Sequence, residues 1–195
     1  MTPELLLVIA AYLAGSIPTG LLLARLMGGV DIRTTGSGNI GATNVSRTLG
    51  WKVGVLTLLG DCLKGVVPVL VARGMGFSEG WLALTAFAAF IGHVYTIFLR
   101  FKGGKGVATA LGVFLALSPL SVAGAVAIFA LMLWKWRYVS LGSITAAVAM
   151  PLLVAFIDRR GLIFLVTIAI AAIVVWKHRE NIQRLRNGTE SKFKG

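Results

Sequence analysis

Long apolar blocks constrain this chain more than any other feature of its sequence. A helix needs about 20 consecutive apolar residues to span a bilayer, and the blocks approach that length, with polar loops between them. Mean hydropathy is +0.87, and 13% of the residues are charged, where a soluble domain has roughly a quarter. The apolar residues do not form amphipathic stripes. We therefore expect an all-α integral membrane protein.

The blocks predict a bundle of about seven transmembrane helices, some of them short or broken. The predicted spans are 5–27, 53–72, 82–99, 107–117, 120–134, 139–157 and 162–176. Pro18 is expected to kink the first span. The span 107–117 is too short to cross alone. It and the next span are therefore either short tilted spans, which gives seven crossings, or a re-entrant pair that does not fully cross, which gives five. We expect one domain over 1–195, with a polar tail from about residue 177.

The distribution of Lys and Arg predicts the orientation. Most of these residues fall in loops that share one side with the tail, and Arg73, Arg159 and Arg160 fall on the other. By the positive-inside rule, the N-terminus is outside and the C-terminus cytoplasmic. The net charge of +12 is then explained by cytoplasmic loops and anionic lipid, and not by nucleic acid. Cys62 is the single cysteine, which excludes an internal disulfide and a cysteine-rich metal site.

A polar, glycine-dense run at 36–47 separates the first two blocks. Gly36, Gly38 and Gly41 carry no Cβ, so the backbone can turn sharply and bring its N–H groups close to a ligand. Arg47 adds a planar fork suited to phosphate or carboxylate. We interpret the run as an anion-binding loop. Its G-x-G-x-x-G spacing indicates a dinucleotide only between a strand and a helix, which a position between two membrane spans excludes.

Two charged residues, Asp61 and Lys64, lie inside the second block at i,i+3 spacing on one helical face. Charges at that depth are costly unless they are paired or line a polar cavity, so they mark a functional site by default. A structural ion pair explains them equally well. His93 is ambiguous too, because a lone histidine near a helix end is usually structural.

A basic glycine loop at 101–106 precedes the short span. The Walker pattern fails there, because Leu99 takes the first glycine position and Gly106 replaces the Ser/Thr. Lys102 and Lys105 nevertheless stand just ahead of a helix N-terminus, which favours an anion. A loop that anchors on lipid headgroups is the alternative.

The polar tail places His178, Asn181 and Leu185 near one face by helical spacing, although a tail of this kind is more often a solvated anchor. No nucleophile with a neighbouring base and no cluster of metal ligands is evident. The acyltransferase dyad of His followed five positions later by Asp is also missing, since Phe98 and Gln183 take those places. The sequence therefore predicts a site that holds phosphates and stabilises negative charge, with no metal and no cofactor.

The motifs at 36–50, 92–109 and 178–190, with the Gly-Asp-Cys-Leu-Lys-Gly run at 60–65, together resemble the PlsY family of bacterial acyl-phosphate:glycerol-3-phosphate acyltransferases. The resemblance covers the whole chain in length and order. One departure is Thr96, where the family commonly has proline, and it is expected to affect local helix geometry more than the chemistry.

The resemblance implies transfer of a fatty acyl group from acyl phosphate to the 1-hydroxyl of glycerol 3-phosphate, giving lysophosphatidic acid and inorganic phosphate. It implies direct attack without a covalent enzyme intermediate, a substrate phosphate oxygen taking the proton. The implied place is the bacterial cytoplasmic (inner) membrane, with the site at the cytoplasmic face and the acyl chain in the bilayer. A monomer is expected, and the upstream enzyme that forms acyl phosphate is a candidate partner.

The resemblance also implies a role for each matching residue. The catalytic residues are Ser37, Arg47, Lys105, His178 and Asn181. The acyl-phosphate-binding residues are Ser37, Gly38, Asn39, Gly41, Ala42, Thr43, Gly103, Gly104 and Lys105. The residues that bind glycerol 3-phosphate are Thr43, Asn44, Arg47, Lys105, Ser143, His178 and Asn181. The supporting polar residues are Asp61, Lys64, His93 and Glu190.

A transporter or channel for a small organic phosphate is the strongest alternative from another class. Such a protein carries its binding groups near the midplane and often has two related halves. Here most of the polar groups lie at one end, no halves are evident, and Asp61 and Lys64 alone favour transport. A purely structural membrane scaffold is a weaker alternative, because it would not need the run at 36–47.

Overall fold

The structure is a computed structural model that describes residues 1–193. Its helices are α1 (Pro3–Ser16), α2 (Thr19–Gly28), α3 (Ala42–Leu49), α4 (Trp51–Gly74), α5 (Glu79–Val94), α6 (Val107–Leu117), α7 (Pro119–Trp136), α8 (Val139–Leu153), α9 (Gly161–Lys177) and α10 (Arg179–Arg186). Short 3₁₀ turns cover Ile32–Thr34 and Ile97–Leu99, and a π-helical turn covers Val154–Asp158. No strand occurs in the described part of the chain. The expected all-α fold is confirmed.

Within residues 1–193, five helical stretches are long and apolar enough to cross a bilayer. They are Pro3–Gly28, Trp51–Gly74, Glu79–Leu99, Pro119–Trp136 and Val139–Asp158. A sixth results if α9 and α10, which are bent by 55°, count as one broken span. The 11 residues of α6 extend only about 16 Å, roughly half of a hydrocarbon core. Seven full crossings are therefore not confirmed, and the orientation stays a prediction.

The first span is broken at Pro18, as predicted from the sequence. Proline gives the helix no N–H and its ring crowds the preceding turn, so α1 ends at Ser16. The break leaves backbone carbonyls that need donors. The Thr96 hydroxyl donates to the Ser16 carbonyl, and the Lys64 ammonium donates to the Ile17 carbonyl at 2.9 Å. Two side chains from later in the chain, one on α4 and one just after α5, thus satisfy the backbone at the kink.

Glycines allow two pairs of helices to pack with their backbones in contact. A Cβ on Gly15 or Gly92 would overlap a backbone carbonyl across the α1–α5 interface. A Cβ on Gly65 or Gly112 would do the same between α4 and α6. Small residues are the usual means of close packing between membrane helices, where lipid is as apolar as leucine. These four glycines set how closely α5 approaches α1 and α6 approaches α4, and α4, α5 and α6 position several of the site residues described below.

The chain forms two compact units, the first over Met1–Ala116 and the second from Leu117 onward. In the first, a small apolar cluster lies beneath the glycine loop, and its buried members are Leu21, Ala24, Ile32, Ile40, Val45 and Val53. In the second, α8 packs against both α7 and α9. The expectation of a single domain stays a prediction.

Candidate active site

One buried amide organises the glycine loop that precedes α3. The side chain of Asn44 is 2% exposed, and its Oδ1 accepts a hydrogen bond from the Ser37 N–H at 2.9 Å. Its Nδ2 lies 3.2, 3.0 and 2.9 Å from the carbonyl oxygens of Ile32, Thr35 and Asn39, which share its two hydrogens. Asn44 thus ties the whole loop to the first turn of α3. Its predicted direct contact with glycerol 3-phosphate stays a prediction.

The loop needs glycine at two positions for reasons of backbone geometry. Gly36 and Gly38 have φ of +57° and +67°, a left-handed conformation that other L-residues adopt at a cost. A Cβ on Gly36 would also overlap Oδ1 of Asn44. These glycines therefore permit the Asn44 contacts, and any role in binding acyl phosphate comes in addition.

The start of α3 presents backbone donors to this loop. Gly41 is the N-cap and supplies no side-chain cap, so the first helical N–H groups lack intrahelical acceptors and carry partial positive charge. The N–H of Gly41 itself donates to Oδ1 of Asn39 at 2.9 Å. Ser37 and Thr43 are exposed beside this end of the helix. The arrangement suits an anion with several oxygen atoms.

Arg47 lies on the last turn of α3 with its side chain exposed.

Two other arginines of the first unit are held by Asp31, whose Oδ2 lies 2.9 Å from Arg25 Nη2 and 2.6 Å from Arg33 Nη2. Hydrogen bonds from Arg33, with a further one from Arg25, hold the pKa of the Asp31 carboxyl well below its usual range. Asp31 therefore stays charged at neutral pH and holds both guanidinium groups beside the segment that leads into the glycine loop.

The glycine loop before α6 folds back tightly on the end of α5. The Gly103 N–H donates to the Val94 carbonyl at 3.2 Å, and the Gly104 N–H donates to the His93 carbonyl at 3.1 Å. A Cβ on Gly103 would overlap the His93 carbonyl, and one on Gly104 would overlap the His93 ring at Nε2. Both N–H groups are engaged within the chain, so contact of these glycines with acyl phosphate stays a prediction. The half-buried Lys105 follows directly.

Asp61, Lys64 and His93 form a buried polar cluster behind this loop. They are 2%, 8% and 3% exposed. Lys64 Nζ lies 2.9 Å from Asp61 Oδ1, and His93 Nδ1 lies 3.7 Å from the same oxygen. The predicted i,i+3 pair is thus present, and the structure adds His93 to it.

In the second unit, His178 occupies the 55° corner between α9 and α10. It is the N-cap of α10, the helix that carries Asn181 and Leu185, and its carbonyl accepts from the Ile182 N–H at 2.9 Å. Its ring is 3% exposed, and Nδ1 lies 2.7 Å from the Val174 carbonyl oxygen. Because a carbonyl only accepts, Nδ1 carries the proton. In the neutral ring the lone pair is then on Nε2, which can accept a proton or a hydrogen bond.

Glu190 gathers three donors in the second unit. Its Oε1 accepts from Ser140 Oγ at 2.7 Å and from Asn181 Nδ2 at 2.6 Å, and its Oε2 accepts from Arg184 Nε at 2.7 Å. Burial raises the pKa of Glu190, but the hydrogen bonds from Ser140, Asn181 and Arg184 outweigh it and leave the pKa below its usual value. The charged carboxylate therefore fixes the Asn181 amide.

Sequence reasoning missed Ser140 and Arg184. Each lies three residues from a predicted site residue, Ser140 from Ser143 and Arg184 from Asn181, and this helical spacing was the available signal. Ser143 is buried, and its hydroxyl donates to the Val139 carbonyl at 2.9 Å. Its contact with glycerol 3-phosphate stays a prediction.

The predicted residues thus fall into local groups. Ser37 and Asn39 are hydrogen-bonded to Asn44, and Gly41 is hydrogen-bonded to Asn39. Gly104 adjoins the buried cluster around His93, and Asn181 is bound by Glu190. Over residues 1–193, no group of three or more His, Cys, Asp or Glu side chains is placed to hold a metal ion.

Comparison with known proteins identifies the family. The family model described as glycerol-3-phosphate acyltransferase matches residues 5–188. Over 194 residues, the chain is 68% identical to the glycerol-3-phosphate acyltransferase of Geotalea daltonii and 68% identical to that of Geobacter sulfurreducens, with 100% of both chains covered.

Solved structures agree with this assignment. The chain is similar to the crystal structure of PlsY, an integral membrane glycerol 3-phosphate acyltransferase, in its glycerol 3-phosphate form. The TM-score is 0.93 at 46% identity, over 99% of this chain and 96% of that one. For the lysophosphatidic acid form of PlsY the TM-score is 0.91 at the same 46% identity. Sequence and fold together therefore show that this chain is an integral membrane protein and belongs to the PlsY-type glycerol-3-phosphate acyltransferase family.

Proposed function

We propose that this protein transfers a fatty acyl group from acyl phosphate to the 1-hydroxyl of sn-glycerol 3-phosphate. The products are 1-acylglycerol 3-phosphate (lysophosphatidic acid) and inorganic phosphate. Family membership supports the acyl acceptor, because the similar PlsY structures are described as glycerol 3-phosphate and lysophosphatidic acid forms. The observation that carries the proposal is the loop held by Asn44 at the open start of α3, which suits a phosphorylated ligand.

The choice of acyl phosphate as donor rests on its chemistry. Phosphate is a good leaving group, so the donor needs no activation by an enzyme nucleophile. The 1-hydroxyl oxygen of glycerol 3-phosphate attacks the acyl carbonyl carbon, and the bond from that carbon to the phosphate oxygen breaks. The hydroxyl proton passes to a phosphate oxygen of the acyl phosphate, so the leaving group departs as hydrogen phosphate. The enzyme then contributes positioning and stabilisation of negative charge.

In the first unit, the acyl phosphate is bound by Ser37, by the N–H groups from Gly38 to Thr43 and by Lys105. Arg47 and Lys105 bind the phosphate of glycerol 3-phosphate, and the guanidinium fork of Arg47 matches two of its oxygens. The exposure of the Arg47 side chain supports this role. Thr43 and Asn44 complete the acceptor subsite.

In the second unit, His178 and Asn181 position the glycerol part of the acceptor, with a weaker contribution from Ser143. The Nδ1 contact with Val174 orients the His178 ring, and Glu190 orients the Asn181 amide. Such supporting hydrogen bonds hold site residues within the narrow tolerance that positioning requires.

Acyl transfer by the purified protein tests the proposal. The full-length chain in lipid nanodiscs is given acyl phosphate and glycerol 3-phosphate, and inorganic phosphate and lysophosphatidic acid are both quantified. We expect them to appear in equal amounts, and phosphate release to stop when glycerol 3-phosphate is omitted. If the protein used an acyl thioester and did not use acyl phosphate, the proposed donor would be refuted. No acyl transfer from either donor would refute the whole function.

Direct transfer is tested by acid-quenching the reaction during turnover and analysing the protein by intact mass spectrometry. We expect the protein to carry no acyl group at any time point. An acyl adduct on Ser37 that forms and decays at the rate of turnover would establish a covalent intermediate and contradict the direct mechanism.

We also propose that the protein lies in the bacterial inner membrane as a monomer, with the site at the cytoplasmic face. The excess of Lys and Arg in the loops assigned to that face supports this orientation. Single cysteines placed at Asn187 and at Gly76 in a Cys62→Ala background test it. An impermeant thiol reagent added to intact spheroplasts should label the cysteine at 76 and spare the one at 187. The opposite pattern would overturn the orientation.

A further inference from the structure

Resting on the proposed function, we infer that Asp61, Lys64 and His93 are positioning residues for the loop 103–105. They hold the loop against α5 and thereby set the place of the Lys105 ammonium. The buried cluster is joined to the loop by direct contacts, and those contacts distinguish it from an isolated ion pair.

The cluster is too costly to be incidental. Asp61 is 2% exposed and Lys64 is 8% exposed, both in the middle of the apolar helix α4. Removing two charges from water is a penalty that their mutual attraction does not always recover, and apolar residues often serve stability equally well. Ionisable residues inside a membrane span are therefore a sign of function.

The cluster is held firmly on the side away from the loop. Lys64 Nζ donates to the Ile17 carbonyl at 2.9 Å, which the Pro18 break makes available. The same ammonium lies 2.9 Å from Asp61 Oδ1. Lys64 therefore links the kink of the first span to the Asp61 carboxylate and fixes where that negative charge sits.

The Asp61 carboxylate in turn lies beside the His93 ring. His93 Nδ1 lies 3.7 Å from Asp61 Oδ1, and the opposite ring nitrogen, Nε2, faces Gly104 so closely that a Cβ there would overlap it. The ring therefore stands between a fixed carboxylate and the loop backbone. Turning the ring would drive it against Gly104 or leave a gap beside it.

The backbone of α5 completes the attachment. The carbonyl groups of His93 and Val94 accept hydrogen bonds from the N–H groups of Gly104 and Gly103. Lys105 is the next residue along the chain, so its Cα can move little while these contacts persist. A shift of about 1 Å in a positioning group can cost roughly 100-fold in rate, which makes the cluster important for turnover.

The proposal is tested with the double variant Asp61→Asn/Lys64→Met, which removes both charges together and leaves neither one unpaired. Thr57→Val is the matched control, because Thr57 is fully buried on the same helix and its hydroxyl bonds the Val53 carbonyl in its own helix. We expect the double variant to lose at least about 10-fold in kcat/KM at an unchanged folded fraction. We expect the control to retain wild-type kcat/KM. Wild-type kcat/KM in the double variant would overturn the proposal.

A double-mutant cycle with Lys105→Met separates positioning from general damage. If the cluster acts through Lys105, the charge-removing pair changes kcat/KM no more than about 2-fold once Lys105 is already lost. A purely structural pair would reduce kcat/KM by the same factor in both backgrounds. An equal fold reduction of kcat/KM in the wild-type and Lys105→Met backgrounds would therefore refute the inference while leaving the proposed function intact.

Hydrogen–deuterium exchange gives a readout that needs no activity. In His93→Gln, and in the charge-removing pair if it folds, the amides of Gly103 and Gly104 should exchange at least about 10-fold faster than in wild type. The amides in the middle of α5 should keep wild-type protection. Unchanged exchange in the loop would overturn the inference, even if the wild-type protein proved to catalyse a different reaction.

Discussion

Asn44 Oδ1 accepts a hydrogen bond from the backbone N–H of Ser37 at 2.9 Å, joining the first turn of α3 to the loop that precedes it. The substitution Asn44→Asp keeps that acceptor but loses the two hydrogens shared by three carbonyl groups. A buried carboxylate would face those carbonyl oxygens, so the loop must rearrange. We predict that kcat/KM falls by about 100-fold or more, measured as acyl transfer in nanodiscs.

Thr34→Val is the control for the Asn44 variant. Thr34 is exposed in the same loop region, and its hydroxyl bonds the Asp31 carbonyl. It should leave kcat/KM within about 2-fold of wild type, since exposed substitutions have small effects. If Asn44→Asp turned over like the wild type, the loop would not need its amide and the preorganised site would be disproved.

Arg47 should be needed for turnover and dispensable for folding, because its side chain is exposed on α3. Loss of one charge-assisted contact to a bound phosphate costs about 1.5–3 kcal/mol, which is about 10- to 150-fold in kcat/KM for glycerol 3-phosphate. Arg47→Ala should lose at least this much, since the guanidinium fork is proposed to make two such contacts. Arg47→Lys should recover part of the loss, because it restores charge without the fork.

Arg47→Ala should elute from size exclusion and melt like the wild-type protein. Wild-type activity of this variant at low glycerol 3-phosphate would rule out Arg47 as a ligand. A variant that failed to fold would instead show that the guanidinium is structural.

Features set by neighbouring residues could be predicted from the sequence, and those set by distant ones could not. The break at Pro18 and the turns at Gly36 and Gly38 follow from local backbone chemistry, and the structure has all of them. The contact of Ser140 with Glu190 joins residues 50 positions apart. In a membrane helix both the lipid-facing and the packed faces are apolar, so the hydrophobic pattern does not show which residues meet.

The same limit applies to the short helix α6 and to the corner at His178. Composition identified the apolar segment of α6, but its 11 residues are too few to cross. Helical spacing grouped His178 with Asn181, but it gave no sign of the 55° bend between α9 and α10 at His178. Neither the residues around that corner nor their hydropathy indicate the bend. The buried cluster shows the same pattern, since the spacing gave Asp61 and Lys64 but not the contact of His93 with Gly104.

Glu190 predicts how stability depends on pH. Its pKa in the folded protein lies below the usual value, so its hydrogen bonds contribute stability fully above the unfolded pKa of about 4.3. That contribution is lost as pH falls through the folded-state pKa. We predict that Glu190→Gln melts below the wild type at pH 7. The difference in melting temperature should shrink as pH is lowered from 5 toward 3.

Melting curves of both proteins in the same detergent across that pH range make the measurement. Glu180→Gln is a suitable control, since Glu180 is an exposed carboxylate on α10. A Glu190→Gln deficit that stayed constant or widened on acidification would show that the carboxylate charge does not stabilise the tail.

The contacts and backbone of Thr96 predict which of two substitutions at this position is the less stable. Its hydroxyl donates to the Ser16 carbonyl at the break in the first span, and its backbone φ of −65° is the value that proline would impose. Thr96→Val should lower the free energy of unfolding by about 1–3 kcal/mol, because it leaves a buried carbonyl without its donor. Thr96→Pro loses the same bond but restricts the unfolded chain, which returns about 0.4–1 kcal/mol. Melting temperatures should thus fall in the order wild type, Thr96→Pro, Thr96→Val, and a proline variant less stable than the valine variant would show that the backbone here does not accept proline.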